Sequence, residues 1–227
     1  MNKILGAAVP AAALLLVLGQ APADAAAPSG YRPSSNPIIF VHGYNSSGSI
    51  WNTMADRFRN DGWPVSHVKQ WSYDWRQSNA TTAHRLAGEI DSLLAATGAS
   101  QVDVITHSMG GLSSRYYAKN LGGSSKIDAW VSLAGPNHGT DWANSCIDAS
   151  CIEMRIGSSF LADLNLADET PGTPRYATWW SPCDTIINPD SSVSLSGAAN
   201  TRTACLAHNA VTTDSTVYAQ TRETVNS

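Results

Sequence analysis

Charge is scarce in this chain. Only 14% of its 227 residues are charged, the formal net charge is −4, and no basic run or basic face occurs. That excludes the electrostatic footprint by which nucleic acid and anionic membrane surfaces hold their partners, and a neutral substrate is expected. Long apolar runs are missing as well. Ile4 to Leu18 falls short of the roughly 20 residues that a membrane span needs, and Pro10 interrupts it, so no stable membrane anchoring is expected. No cysteine precedes Cys146, which excludes lipid attachment behind the leader. The four cysteines form no Cys-x-x-Cys pair and no His-x-x-x-His accompanies them, which speaks against zinc. Asp141, Asp168, Asp190 and Asp214 are scattered and form no recognisable calcium loop. Structural calcium stays open.

What is present begins with a leader. Lys3, the apolar run, and the small residues Ala23-Asp24-Ala25 and Ala25-Ala26-Ala27 read as a signal peptide cleaved after Ala25 or Ala27. Residues 1–27 are therefore expected to be removed, leaving about 200 residues, the size of one domain with a substantial core. Residues 28–227 are expected to form that single domain, secreted, extracellular and monomeric. An even cysteine count on an exported chain suggests two disulfides. Three connectivities are possible; Cys146 with Cys151 and Cys183 with Cys205 is the local choice, and the larger loop would stabilise the fold by about 3 kcal/mol on the chain-entropy model.

Strands and helices alternate along the rest. Asn36 to Val41 is continuously apolar, as in a strand buried on both faces of a parallel sheet. Ile50 to Arg59 carries apolar residues at helical spacing, and Val65 to Trp71 reads as the next strand. Ala83, Leu86, Ala87, Ile90, Leu93 and Leu94 line one helix face, which Ser78 or Asn79 caps and Gly98 ends. Gln101–Thr106 is a strand, Met109–Leu121 a helix stopped by Gly122-Gly123, and Ala129–Leu133 a strand. Tyr176–Trp180 and Arg202–Leu206 are the last strand candidates. This order implies βαβ units closing into a parallel sheet, with functional residues at the carboxyl ends of the strands. Residues 141–175 are the least regular stretch, and any lid is expected there.

Thr106-His107-Ser108-Met109-Gly110-Gly111 lies where a buried strand turns directly into a helix, the context of a G-x-S-x-G nucleophile elbow. Thr106 stands where the first Gly is expected, which predicts a wider or rotated approach of strand and helix. A serine hydroxyl needs a base to take its proton and a carboxylate to orient that base. In chain order these are Asp184, just past a strand, and His208, just past the next. The proposed Cys183–Cys205 bridge would tether both loops. Asp190 is the runner-up acid and His138 the rival base. His42 is expected to hold its loop, His107 to point away from the site, and His67 and His84 to be ordinary strand and helix-surface residues. Two backbone N–H groups should receive the charge that builds on the carbonyl oxygen: those of Met109 and, after the first strand, Tyr44. Trp51, Met109, Trp142, Trp179 and Trp180 are candidate apolar lining.

With these parts in place the chain resembles the small class 2 lipases and carboxylesterases secreted by Gram-positive bacteria. The resemblance is carried by Pro37-Ile38-Ile39-Phe40-Val41-His42-Gly43-Tyr44, Val104 to Gly111, Ser132-Leu133-Ala134-Gly135-Pro136-Asn137-His138-Gly139-Thr140, Cys183-Asp184 and Ala207-His208. It implies an α/β-hydrolase fold, a central mostly parallel sheet flanked by helices with a small or minimal lid. It also implies hydrolysis of small-molecule or lipid esters without a cofactor. A polyester or aromatic-ester hydrolase and an acyltransferase stay open on the same scaffold, and a catalytically silent binding module is the reading from another class.

Overall fold

The computed structural model describes Met1 and residues 36–227. The signal peptide expected over residues 1–27 lies, apart from Met1, outside the described residues. Strands β1 (Ile38–Val41), β2 (Val68–Trp71), β3 (Val102–His107), β4 (Ile127–Leu133), β5 (Arg175–Trp180) and β6 (Ala199–Arg202) form one sheet in the order β2-β1-β3-β4-β5-β6. Every neighbouring pair is parallel. Parallel neighbours need a crossover between them, and helices supply most of these: α1 (Asn52–Asn60), α2 (Asn79–Thr97) and α3 (Gly110–Asn120), with α4 (Ala149–Glu153) and α5 (Ser159–Asn165) between β4 and β5. Helix α6 (Ser215–Asn226) follows the last strand.

The sheet divides the core into two layers by the two-residue period of its strands. Ile38 and Phe40 of β1 face a layer with Trp51, Met54 and Phe58 around α1 and Val217, Tyr218 and Val225 of α6. Ile39 and Val41 face the other, with Leu86, Ile90 and Leu93 of α2 and Tyr117 of α3. Each such side chain, fully withdrawn from water, contributes about 1.5–3 kcal/mol. Polar bonds stitch α6 to α1: Asp61 accepts from Arg222 and from the Tyr218 hydroxyl, both at 2.6 Å, and Arg57 donates to the Asp214 carbonyl at 3.0 Å.

Helix α2 matches its expected ends. The Ser78 side chain accepts from the Thr81 amide, and Gly98 takes the left-handed conformation, φ 72°, that glycine adopts without strain. Three elements differ from expectation. Val65–His67 is a 3-10 turn behind Pro64, so β2 starts only at Val68. The last strand is Ala199–Arg202, and residues 203–206 are loop: this edge strand is exposed and polar, so no apolar run marks it. Helix α6 was not anticipated; the Asp214 side chain caps it by accepting from the amides of Thr216 and Val217.

Residues 141–175 fold into short helical pieces that pack on the start of α3. Ala143, Cys151, Met154, Leu161 and Leu164 enclose Met109 and Leu112 in a third apolar cluster. Among the described residues no helix is long and apolar enough to cross a membrane.

Candidate active site

The carboxyl ends of β1, β3 and β5 and the loop after β6 converge on one cavity of about 270 Å³, lined among others by Tyr44, Ser108, Trp142, Met154, Ile187 and His208. At its floor β3 turns into α3 through Ser108, whose φ of 54° places a non-glycine residue in the left-handed region. The turn is pinned from two sides. The Ser108 amide donates to the Leu133 carbonyl of β4 at 2.9 Å, and the Gly111 amide closes back on the Ser108 carbonyl at 3.0 Å. Two glycines make room for it. A Cβ on Gly110 would lie 2.6 Å from the carbonyl oxygens of both Val41 and His42, and one on Gly43 would lie 2.7 Å from Ser108 Cβ. Thr106 is accommodated by turning its hydroxyl onto β4, where it donates to the Val131 carbonyl at 2.9 Å.

Asp184 and His208 meet across two loops. His208 Nδ1 lies 2.8 Å from Asp184 Oδ2, while Asp184 Oδ1 accepts from the amides of Ile186 and Ile187 at 2.8 and 3.1 Å. Burial alone would raise the Asp184 carboxyl, but the bonds from His208 and from these amides outweigh it and hold the group below its ordinary value. An ionised Asp184 only accepts, so Nδ1 of His208 carries a hydrogen, and in the neutral imidazole Nε2 keeps its lone pair. The Cys183–Cys205 disulfide ties the two loops together. Ser181 adds a clasp that sequence reasoning missed: its hydroxyl donates to the Leu206 carbonyl at 2.7 Å and accepts the Leu206 amide at 2.8 Å.

His107 departs from expectation. Instead of pointing away, it lines the cavity, and its ring lies 4.7 Å from that of His208. Burial drives its imidazole down to about 3, so the ring is neutral, and Nε2 donates to the His208 carbonyl at 3.1 Å. The strand ends one residue before the elbow, which directs this side chain beneath the His208 loop. His138, the rival base, instead bonds Glu169 at 2.7 Å and the Ser192 carbonyl at 3.2 Å. Asp190, the runner-up acid, opens a 3-10 turn. Of the candidate apolar lining only Trp142 borders the cavity. Trp51 and Trp179 are buried in the α1 and α6 layer, Trp180 packs against it, and Met109 sits beneath α4 and α5. Ile186 and Ile187 line the cavity unforeseen; an apolar pair inside an otherwise polar loop was their only mark in the sequence.

His42 holds the loop after β1 with both ring nitrogens. Nε2 accepts the Tyr73 amide at 3.2 Å, so Nδ1 carries the hydrogen and donates to the Gly43 carbonyl at 2.8 Å. Burial lowers its pKa, with the Gly43 bond acting the other way, and the neutral ring stacks on Tyr73 at 4.1 Å. The Gly43–Tyr44 peptide is planar and trans, so its carbonyl and its N–H point in opposite directions. Fixing the Gly43 oxygen therefore fixes the Tyr44 N–H. Among the described residues no group of three or more His, Cys, Asp or Glu is placed to hold a metal ion.

Strand order and the left-handed Ser108 between β3 and α3 define the class by its fold: this is an α/β-hydrolase fold. The mature form of a lipase from Bacillus licheniformis superposes with a TM-score of 0.75 at 15% identity, covering 87% of this chain and 94% of that one. Among sequences, a triacylglycerol lipase of Burkholderia plantarii is 28% identical over 136 residues, 57% of this chain and 37% of the relative. A triacylglycerol lipase of Vibrio cholerae is 34% identical over 102 residues, 42% and 31% respectively, so the matches span about a third of these relatives. The lipase (class 2) family matches residues 35–226. The chain belongs to that family.

Proposed function

We propose that this protein is a secreted carboxylesterase or lipase that hydrolyses neutral carboxylic esters through an acyl-enzyme on Ser108. The observation that carries the reading is the 2.8 Å bond from Asp184 to His208, whose ring lines the same cavity as the strained Ser108. In the proposed sequence His208 Nε2 takes the Ser108 proton as Oγ attacks the ester carbonyl. The N–H groups of Tyr44 and Met109 receive the negative charge on the carbonyl oxygen. Collapse expels the alcohol, which leaves with the proton from Nε2. Water then attacks the acyl-enzyme, gives its proton to Nε2, and Ser108 departs with that proton as the acid is released. Asp184 keeps the imidazole in the required tautomer throughout.

The cavity of about 270 Å³ lies just under the ~300–1,000 Å³ of pockets that enclose drug-sized ligands, which favours a short acyl group over a long chain. Export is supported by the leader read in residues 1–27 and by two disulfides, which persist in oxidising compartments. The test is hydrolysis of p-nitrophenyl esters from acetate to palmitate by wild type and Ser108→Ala. Activity highest on the short esters and abolished in the variant is expected. Wild-type rates in the variant would remove Ser108 as nucleophile, and a maximum at palmitate would overturn the short-chain reading.

A further inference from the structure

We propose that Asp148 is a positioning residue for the oxyanion donor: it binds the phenolic hydroxyl of Tyr44 and, through that ring, steadies the peptide N–H that receives the developing charge. The inference rests on the reading above of the Tyr44 N–H as a donor. Tyr44 is held at three points. His42 fixes its peptide plane through the Gly43 carbonyl. The rings of Trp75 and Trp142 meet its ring edge-on at 4.4 and 5.5 Å. Its hydroxyl donates to Asp148 Oδ2 across a sequence separation of 104 residues.

Asp148 itself is held in place. It immediately precedes α4, where the ordinary task of an aspartate is to accept a first-turn amide, yet its side chain makes no such cap and turns to Tyr44 instead. The Cys146–Cys151 disulfide closes a short loop around it. Two further bonds dock α4 on the loop after β2 and on the start of α2: the Ser150 hydroxyl donates to the Trp75 carbonyl at 2.6 Å, and Glu153 accepts the Asn79 amide at the same distance. Arg76 lies over Trp75, 4.0 Å from its ring centre, with its Nε 4.0 Å from Asp148 Oδ1. The carboxylate is thus a fixed point against which Tyr44 is braced.

A donor stabilises the transition state to the extent that it is already aimed when charge appears. Slackening the brace should therefore lower kcat and leave KM nearly unchanged. Losing a whole donor reduces turnover about 10²- to 10³-fold, and loosening one should give a part of that, about tenfold.

The test compares Tyr44→Phe, Asp148→Ala, Asp148→Asn and the Tyr44→Phe/Asp148→Ala pair with wild type and Ser108→Ala on p-nitrophenyl butyrate. Inhibition by phenylboronic acid, whose tetrahedral serine adduct carries an anionic oxygen, is measured alongside. Either single loss should lower kcat and boronate affinity together by about tenfold. The double variant should be no slower than the singles, because both remove one coupled element, and Asp148→Asn, which keeps an acceptor, should recover most of the rate. Single variants at wild-type kcat, losses that multiply, or a kcat loss with unchanged boronate affinity would each overturn the proposal. If Asp148→Ala does not fold, Tyr44→Phe, which deletes one oxygen, carries the test. An inactive Ser108→Ala beside an unimpaired Tyr44→Phe would refute the brace alone, whereas an active Ser108→Ala would refute the mechanism beneath it.

Discussion

Replacing Asp103 with Asn should remove one ionisation from the core and keep its hydrogen bond. Asp103 is buried on β3 where the pairing with β4 skips from Val102 to Val104, and its Oδ1 accepts the Ala129 amide at 3.1 Å. Burial, and after it the neighbouring Asp128 carboxylate, push its carboxyl up to about 8, against about 3.9 for a solvated aspartate. Between those pH values the folded chain keeps a proton that the unfolded chain has released. Stability therefore falls as pH rises through the window and levels off above the folded value. The full slope for one such group is about 1.4 kcal/mol per pH unit, a loss on the order of 5 kcal/mol across the window. Asparagine accepts the same amide and cannot ionise. Urea unfolding of both proteins at intervals from about pH 4 to pH 9 reads the difference. Asp184, whose folded value is depressed, acts in the opposite sense at lower pH, but it is common to both proteins and cancels. The variant should gain on the wild type by several kcal/mol as pH rises; a difference that stays constant with pH would refute the reasoning.

Three further outcomes follow from the site. Asp184→Asn keeps the acceptor for Ile186 and Ile187 but can turn its amide hydrogens toward His208 Nδ1, stabilising the wrong tautomer; kcat should fall about 10⁴-fold with the fold intact, and a loss below about tenfold in steady-state kinetics would contradict this. Gly110→Ala drives a Cβ against the carbonyls of Val41 and His42, so displacement of the elbow should reduce activity about 10²-fold and lower the melting temperature; an unchanged melt and rate would mean the backbone yields freely. Cys183→Ser with Cys205→Ser should lower unfolding free energy by about 3 kcal/mol, and an unshifted denaturation midpoint would rule out that contribution.

The sheet was legible wherever burial on both faces demanded an unbroken apolar run, as in Ile38–Val41. Strand β6 was not, because it lies exposed at the sheet edge and its residues are Ala, Asn, Thr and Arg. Helix α6 carries a readable stripe, Val217, Tyr218, Thr221 and Val225, but polar residues dilute it. Ser108 and its elbow stood out because a strained turn between strand and helix restricts which residues fit. The roles of His107 and Ser181 depend on how two distant loops pack, and no spacing in the sequence encodes that. The same holds for Asp148, whose partner Tyr44 lies 104 residues away.

The wholly parallel sheet also bears on how the protein acquires its activity. With no hairpin joining any two paired strands, each pairing must close a long stretch of chain before contacts repay the lost entropy, and such topologies fold slowly. Tyr44, Ser108, Asp184 and His208 follow four different strands of that sheet. Pairing must extend through β6 to bring them together, so recovery of the proposed esterase activity after denaturation would report assembly of that part of the sheet rather than early collapse. Until β6 pairs, the proposed site lacks His208 in place even where the apolar strands are already covered, because β6 is itself an exposed, polar edge strand.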